Sequence, residues 1–325
     1  MTDLSERTLG SLLEEPSIRA IAPFAIKCMD LPAQPMYGKT LARLRQEGFG
    51  GGNLERGFRR LLRAAQTEDW FLPLYEGAAE PEKRDCSLLW FPSEDPKADE
   101  RPFILLIPGG GFVNVWNLNE GWPMADHFNA GGYHAFVLTY RVGEKEGTLD
   151  KEMDDVARAL RLIAANACRF HVRPDRYVTC GFSAGGYITC LWSTRGKGWA
   201  AHGLPRPMAM LPVYPVVSFR QLQKDRDGDP DLAKGLFYTD LAHAVNEDYE
   251  IPEHVEGFPP CHLFLAAEDT LVPPVHSRLL KAALDEAGIP CCMEMGPTGG
   301  HGFADGEGSC MEGWPERAMA WLQTL

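Results

Sequence analysis

The sequence predicts an α/β protein with a mostly parallel central sheet, helices on both faces and a helical N-terminal extension. From about residue 85, short apolar runs of strand length alternate with longer runs of helical periodicity, which is typical of such a sheet. The predicted strands lie near Ser87–Phe91, Phe103–Ile107, His134–Tyr140, Tyr177–Cys180, Met208–Val217, His262–Ala267 and Cys291–Met295. The predicted helices lie near Trp122–Asn129, Asp150–Asn166, Gly186–Thr194, His276–Ala287 and Met311–Leu322.

The first seventy or so residues have a helical pattern of their own. Their apolar residues recur at three- and four-residue spacing: these are Leu9, Leu12, Leu13, Leu41, Leu44, Phe58, Leu61 and Leu62. The glycines of 50–52 separate the last two helices, and Asn53 is the predicted N-cap of the second. We divide the chain into an extension, residues 1–75, and a catalytic domain, residues 76–325. The apolar faces of the extension pack either on that domain or on a second copy of the chain.

A polar insertion spans about residues 218–260. It contains acids at every second position from Asp225 to Asp231, followed by the more apolar Leu236-Phe237-Tyr238. Solvated surface is the default interpretation of such a stretch, and a lid over the functional site is the alternative. A calcium loop is rejected, because Pro230 stands where the turn glycine belongs and Leu236 where the bidentate acid belongs.

Composition excludes several classes of function. The chain has 325 residues and a formal net charge of −13, with 45% hydrophobic and 24% charged residues. The negative charge repels nucleic-acid backbones and disfavours polyanionic substrates. No apolar run of about eighteen residues occurs, so we expect no membrane span. The first residues contain neither a basic nor an apolar signal region, so we expect no secretory signal.

The cysteines predict a reducing, cytoplasmic location. The chain has nine cysteines, an odd number, without disulfide-framework spacing. No C-x-x-C pair is present, so a structural zinc site is not expected. Most cysteines lie in apolar runs, where we expect reduced and buried thiols: these are Cys180, Cys190, Cys261, Cys291 and Cys292.

A serine between two glycines is the most informative motif. Gly181-Phe182-Ser183-Ala184-Gly185 follows a strand-like run and precedes a helix-like run. A serine hydroxyl needs a base and oxyanion donors to act as a nucleophile, and a sharp strand-to-helix turn presents it to both. Such a turn crowds the backbone, so that only glycine fits on either side. The motif therefore predicts Ser183 as a nucleophile.

A run of glycines directly after another strand supplies candidate oxyanion donors. It reads Pro108-Gly109-Gly110-Gly111-Phe112. Consecutive glycines let backbone N–H groups approach a developing oxyanion that a Cβ atom would block. A flexible turn is the simpler alternative.

The base and its orienting acid are expected downstream of Ser183. His301 lies on a glycine-rich loop between the last predicted strand and the last helix, which favours it over the other histidines. The strand ending at Ala267 is followed by Glu268 and Asp269, and we select Asp269 because it stands at the turn. Glu268 is the alternative, and Asp305 is too close to His301 in sequence to be preferred.

These motifs together resemble the α/β-hydrolase superfamily of esterases and lipases. The resemblance covers about residues 85–325, and its details are most similar to bacterial carbohydrate acetyl esterases, including acetyl-xylan-esterase-like proteins. It implies the α/β-hydrolase fold, with Ser183 as nucleophile, His301 as general base and acid, and Asp269 fixing the imidazole tautomer. It also implies an oxyanion hole formed by the backbone N–H groups of Gly110, Gly111 and Ala184. The chemistry needs neither a metal nor another cofactor.

Four aromatic residues flank the predicted site: Phe112, Trp116, Trp122 and Tyr187. The rings of Phe112, Trp116 and Tyr187 are candidates for contact with a sugar ring or an acyl group. Core packing explains each of them equally well.

The predicted function is a serine carboxylesterase that removes short acyl groups, above all acetyl, from a carbohydrate or similar small alcohol. Its partner is then a small-molecule ester, and self-association through residues 1–75 is an additional hypothesis. A prolyl-oligopeptidase-like peptidase is the enzymatic alternative, although the chain has no room for the β-propeller of those enzymes. A non-catalytic binding protein of the same fold is the other alternative, disfavoured because all three triad residues are present.

Overall fold

The structure is a computed structural model. It describes residues 3–30, 33–49, 54–67, 70–143, 147–226 and 247–325. The predicted N-cap Asn53 and residues 227–246 of the insertion lie outside these ranges.

A central sheet of eight strands organises the described chain. In chain order the strands are β1 Phe71–Pro73, β2 Ser87–Phe91, β3 Phe103–Ile107, β4 Ala135–Thr139, β5 Tyr177–Phe182, β6 Ala209–Val213, β7 Cys261–Ala266 and β8 Cys291–Gly296. Their spatial order is β1-β2-β4-β3-β5-β6-β7-β8. β2 is antiparallel to β1 and β4, and the other neighbouring pairs are parallel. The predicted, mostly parallel sheet is confirmed.

Helices cover both faces of this sheet. In chain order they are α1 Leu9–Leu13, α2 Leu41–Gln46, α3 Leu54–Ala64, α4 Pro81–Arg84, α5 Trp122–Ala130, α6 Thr148–Ala165, α7 Ala167–Phe170, α8 Ala184–Ser193, α9 Phe219–Arg226, α10 Val275–Glu286 and α11 Trp314–Leu322. Buried side chains of α6, α8 and α10 form one apolar core with the sheet. Those of α1, α2, α3, α5 and α11 form a second core on the opposite face. Strands buried on both faces explain the continuous apolar runs of the sequence.

The N-terminal extension packs on the second face. The leucine-rich segments form α1, α2 and α3 as predicted, and two short 3₁₀ turns, Ala22–Phe24 and Pro35–Gly38, lie between α1 and α2. The buried leucines of the extension share one core with α5 and the sheet. The division of the chain at residue 75 stays a prediction.

Two cysteines differ from the expectation of buried thiols. Cys180, Cys190 and Cys261 are buried, but Cys291 is half-buried and Cys292 is exposed. Both lie on β8, which is the last strand of the sheet and has a neighbour on one side only. An apolar run at a sheet edge therefore did not imply burial.

None of the helices in the described ranges combines the length and the apolarity that a bilayer crossing requires.

Candidate active site

Ser183 lies on a sharp turn between β5 and α8. Its backbone has φ 53° and ψ −116°, a region that side-chain-bearing residues rarely occupy and that is found at strained functional turns. A Cβ atom on Gly181 would overlap the carbonyl of Gly185, and one on Gly185 would overlap the carbonyl of Ile107. Both glycines of the motif are therefore required by close backbone approach, as the sequence predicted.

The structure brings the three predicted triad residues together. The Ser183 Oγ atom lies 2.9 Å from Nε2 of His301, and Nδ1 of His301 lies 2.7 Å from Oδ2 of Asp269. The other carboxylate oxygen of Asp269 accepts the backbone N–H groups of Leu271 at 3.0 Å and Val272 at 2.9 Å. Asp269 is buried, so these contacts hold its carboxylate in one orientation toward the imidazole. All three residues follow the carboxyl ends of parallel strands, where α/β sheets place their sites.

The alternative acid Glu268 and the less favoured Asp305 lie away from the His301 ring nitrogens. The side chain of Glu268 is exposed. Asp305 is buried, and its Oδ2 atom lies 3.1 Å from Nε2 of His127. The turn after β7 therefore presents Asp269 and not its neighbour to the imidazole.

The glycine loop after β3 leaves amide groups available next to Ser183. Gly110 has φ 141° and Gly111 has φ 64°, and a Cβ on Gly110 would overlap the backbone of Asn114. Within the described residues, the N–H groups of Gly110 and Gly111 donate to no other protein group. Ala184 is the first residue of α8, whose N-terminal N–H groups have no acceptor inside the helix. These are the donors that an oxyanion hole needs, and the role of all three residues stays a prediction.

Two buried residues that the sequence did not single out join the loops around Ser183. Glu120 accepts the N–H of Gly109 at 2.7 Å and the hydroxyl of Tyr214 at 2.8 Å. The ring of Tyr214 lies 4.8 Å from that of His301, measured between centroids. No sequence signal marked either residue: Glu120 stands between Asn119 and Gly121, and Tyr214 lies inside the predicted strand Met208–Val217.

Phe112 and Tyr187 lie in the core below the loop. Their ring centroids are 5.6 Å apart, and both rings pack on Phe219. The Tyr187 hydroxyl donates to the Tyr249 carbonyl at 2.8 Å. Both side chains are fully buried, and their contact with a substrate stays a prediction.

Trp116 lies on the other side of the glycine loop and is half-buried. Its ring centroid is 5.9 Å from that of Phe49 in the N-terminal extension. One residue earlier, the Val115 carbonyl accepts the N–H of Lys27 at 3.0 Å. The extension therefore supports the segment that follows the glycine loop. A substrate contact at Trp116 stays a prediction.

The insertion is described only at its two ends. Residues 218–226 include α9, and residues 247–260 include the 3₁₀ turns Glu247–Tyr249 and Ile251–Glu253. Asp225 lies at the end of α9, with Oδ2 3.1 Å from Nε2 of His276. The alternatives of a lid and a solvated surface both concern residues outside the described ranges. Among the residues described, three or more metal-ligating side chains do not cluster anywhere.

The sequence of this chain is similar to a family profile and to proteins that are named as enzymes. The BD-FAE family profile matches residues 90–204. An acetylxylan esterase of Xylanibacter ruminicola is 29% identical over 215 residues, which is 62% of this chain and 41% of that protein. An endo-1,4-beta-xylanase B of Butyrivibrio fibrisolvens is 27% identical over 235 residues, 70% of this chain and 36% of that protein. The chain thus spans about two fifths of the length of these curated relatives.

Solved structures of other proteins superpose on this fold. An acetyl ester-xyloside bifunctional hydrolase from Caldicellulosiruptor lactoaceticus superposes with a TM-score of 0.63 at 24% identity, covering 78% of this chain and 95% of that one. A carboxylesterase from Lactobacillus plantarum superposes with a TM-score of 0.60 at 20% identity, covering 74% and 92%. The chain has the α/β-hydrolase fold, and its resemblance to that superfamily and to its carbohydrate acetyl esterases is confirmed.

Proposed function

We propose that the protein is a serine carboxylesterase that removes short acyl groups, acetyl above all, from a carbohydrate or similar small alcohol. The observation that supports this most directly is the continuous hydrogen-bonded series from Ser183 through His301 to Asp269, with distances of 2.9 and 2.7 Å. Such a series can move a proton away from the serine hydroxyl while the carboxylate holds the imidazole in one tautomer. The relatives that are named esterases support the class of reaction.

The reaction takes place in two halves. The Oγ atom of Ser183 forms a bond to the ester carbonyl carbon while its proton moves to Nε2 of His301. The N–H groups of Gly110, Gly111 and Ala184 stabilise the tetrahedral oxyanion. The bond from that carbon to the alcohol oxygen then breaks, and His301 returns the proton to the leaving alcohol, which leaves an acyl-enzyme. Water attacks the acyl-enzyme with His301 again as base, and the carboxylic acid departs as Ser183 regains its proton.

An acetylated sugar is the substrate that we favour. The acetylxylan esterase and the xylanase among the relatives are named for action on xylan. A neutral sugar ester also agrees with the net charge of −13, which opposes polyanionic substrates. We propose a cytoplasmic, reducing setting, because all nine cysteines are free thiols.

The test is the initial rate of hydrolysis of p-nitrophenyl esters with acyl chains of two to eight carbons, with Ser183→Ala as the blank. We expect a rate that is highest for the acetate and absent from the variant, and then release of acetate from acetylated xylo-oligosaccharides. A maximum at long chains contradicts the short-acyl part of the proposal. Equal rates in the variant contradict the nucleophile, and a comparable rate on a prolyl p-nitroanilide favours the peptidase.

A further inference from the structure

Glu120 is a buried carboxyl group that touches the structures on both sides of Ser183. It lies in a π-helical turn, Asn117–Gly121, directly before α5, and only 5% of the residue is exposed. π-helical turns are rare and often occur at functional sites. A carboxylate is costly to bury unless its oxygens are hydrogen-bonded. Its contacts therefore indicate what the group is for.

The first contact holds the glycine loop. The N–H of Gly109 donates to Oε2 of Glu120 at 2.7 Å. Gly109 also lies directly against the nucleophile, since a Cβ atom placed on it would be 2.9 Å from Cβ of Ser183. The next two residues of the loop are the proposed oxyanion donors. The Glu120 contact thus fixes the point from which Gly110 and Gly111 extend toward Ser183.

The second contact holds the base. The Tyr214 hydroxyl donates to Oε1 of Glu120 at 2.8 Å and accepts the N–H of Ala304 at 3.2 Å. The Tyr214 ring packs on His301 at 4.8 Å and on Phe303 at 4.7 Å between centroids. Tyr214 therefore supports the imidazole ring and also the loop that follows it. Glu120 therefore supports the His301 ring indirectly, because it holds the hydroxyl of Tyr214, whose ring packs on that imidazole.

Burial acts on both groups of this contact, the carboxyl of Glu120 and the phenol of Tyr214. Burial raises the pKa of Glu120 above its ordinary value, and the hydrogen bonds from the Gly109 N–H and the Tyr214 hydroxyl oppose that rise only in part. Burial and the nearby Glu120 charge raise the pKa of Tyr214 well above its ordinary value. The phenol therefore stays protonated and can donate. Both oxygens of Glu120 act as acceptors, as in an ionised group.

We propose that Glu120 is a positioning residue that fixes the glycine loop and, through Tyr214, the His301 ring relative to Ser183. The inference deepens the proposed function and rests on it, because it takes Ser183 as nucleophile and His301 as base. Glu120 acts through these groups and does not itself touch the reacting atoms. Its loss should displace the oxyanion donors and the base together.

Three variants separate positioning from general stability. Glu120→Ala removes both contacts, whereas Glu120→Gln keeps an oxygen for Gly109 and an amide that can donate to the Tyr214 oxygen. Tyr214→Phe removes the hydroxyl but leaves the ring on His301. Glu152→Gln is the matched control, because Glu152 is another fully buried carboxyl, on α6, and neither of its oxygens has a hydrogen-bond partner among the described residues.

The measurements are kcat and KM for p-nitrophenyl acetate, the rate of Ser183 labelling by a fluorophosphonate, and the thermal midpoint of each variant. We expect Glu120→Ala to lower kcat by about 10²-fold, because a small misplacement of reacting groups costs that much. KM should change by less than about threefold, since the affected interactions belong to the transition state. Glu120→Gln should recover kcat to within about tenfold of wild type, and the labelling rate should fall in parallel with kcat.

The outcomes that overturn the proposal are equally definite. A folded Glu120→Ala with wild-type kcat contradicts it, and so does Glu120→Gln losing as much activity as Glu120→Ala, since the charge would then matter and not the contacts. If Glu120→Ala does not fold, Tyr214→Phe decides: about a tenfold loss in kcat at constant KM supports the proposal, and an unchanged kcat overturns it.

The Glu152→Gln control and the wild-type rate keep this inference distinct from the proposed function. The control should keep wild-type kcat. Absence of esterase activity in the wild-type enzyme contradicts the proposed function itself. Activity that depends on Ser183 but not on Glu120 or Tyr214 contradicts only the positioning role.

Discussion

The ring of Phe58 meets the ring of Trp122 edge to face, with centroids 5.8 Å apart and planes at 71°. Phe58 lies on α3 of the N-terminal extension, and Trp122 is the first residue of α5, directly after the turn that carries Glu120. Both side chains are fully buried. The extension therefore shares the core that supports one side of the glycine loop.

We predict that Phe58→Ala lowers the free energy of unfolding by about 3–5 kcal/mol, because it removes a buried ring and leaves a cavity beside Trp122. Urea denaturation followed by tryptophan fluorescence measures the change. Arg63→Ala on the same helix is the control, since the Arg63 side chain is exposed and its ion pair with Glu94 is long, at 3.9 Å, and exposed as well. The control should change the free energy by less than about 0.5 kcal/mol. A loss below about 1 kcal/mol in Phe58→Ala contradicts the shared core.

Replacing the orienting acid should disable the base without unfolding the chain. We predict that Asp269→Asn lowers kcat for p-nitrophenyl acetate by about 10³–10⁴-fold, because the amide no longer holds His301 in the required tautomer. Glu268→Gln is the matched control, one residue away and exposed, and it should keep wild-type kcat. The reverse order of effects would assign the orienting role to Glu268.

The turn at Ser183 should not tolerate even one methyl group. We predict that Gly185→Ala lowers the free energy of unfolding by about 3 kcal/mol or more, because its Cβ would overlap the carbonyls of Ile107 and Pro108. Gly196→Ala serves as control, since no described residue beyond its two chain neighbours has an atom within 4 Å of the added Cβ. Thermal and urea unfolding of both variants measure the difference. Equal stability of the two variants is incompatible with the close backbone approach described at this turn.

Glu152 should make stability depend on pH. Burial, and then the nearby charge of Asp155, raise the pKa of Glu152 well above its ordinary value of 4.5. The folded state therefore retains a proton on Glu152 that the unfolded state releases. The contribution of this one group to the free energy of unfolding falls as pH rises above about 4.5. We predict that the free energy of unfolding of Glu152→Gln, minus that of wild type, increases from pH 4 to pH 7. A difference that is constant or decreases with pH contradicts the shift.

Much of the fold follows from local sequence patterns. β2 and β3 have the predicted bounds, because each is a short apolar run followed directly by a proline, Pro92 or Pro108. The predicted strand Met208–Val217 ends early at Val213, since Tyr214 has φ 38° and Pro215 follows. The predicted helix from Met311 begins only at Trp314, after Gly313 turns the chain with φ 77°. These boundaries depend on single backbone angles that an apolar pattern does not encode.

The residues of the candidate site also fall into two groups, those that a local motif marks and those that no motif marks. Ser183, Asp269 and His301 stand in motifs with recognisable turns, so the sequence predicted residues that the structure brings together. Glu120 and Tyr214 stand in no such motif, and their hydrogen bond joins residues 94 positions apart. β1 was missed as well, because three residues ending in Pro73 carry no period-two pattern. Contacts of this kind appear only once the sheet has aligned the loops.

The measurement that tests the central claim most directly is mass spectrometry of the enzyme quenched with acid during turnover of p-nitrophenyl acetate. The account predicts one acetyl group on the peptide that contains Ser183, and its absence from Ser183→Ala, whose kcat should be about 10⁵–10⁶-fold lower. His301→Ala should form the adduct far more slowly. Turnover of the ester by Ser183→Ala at a rate near that of wild type, or an acetyl group found on another residue, would contradict the account.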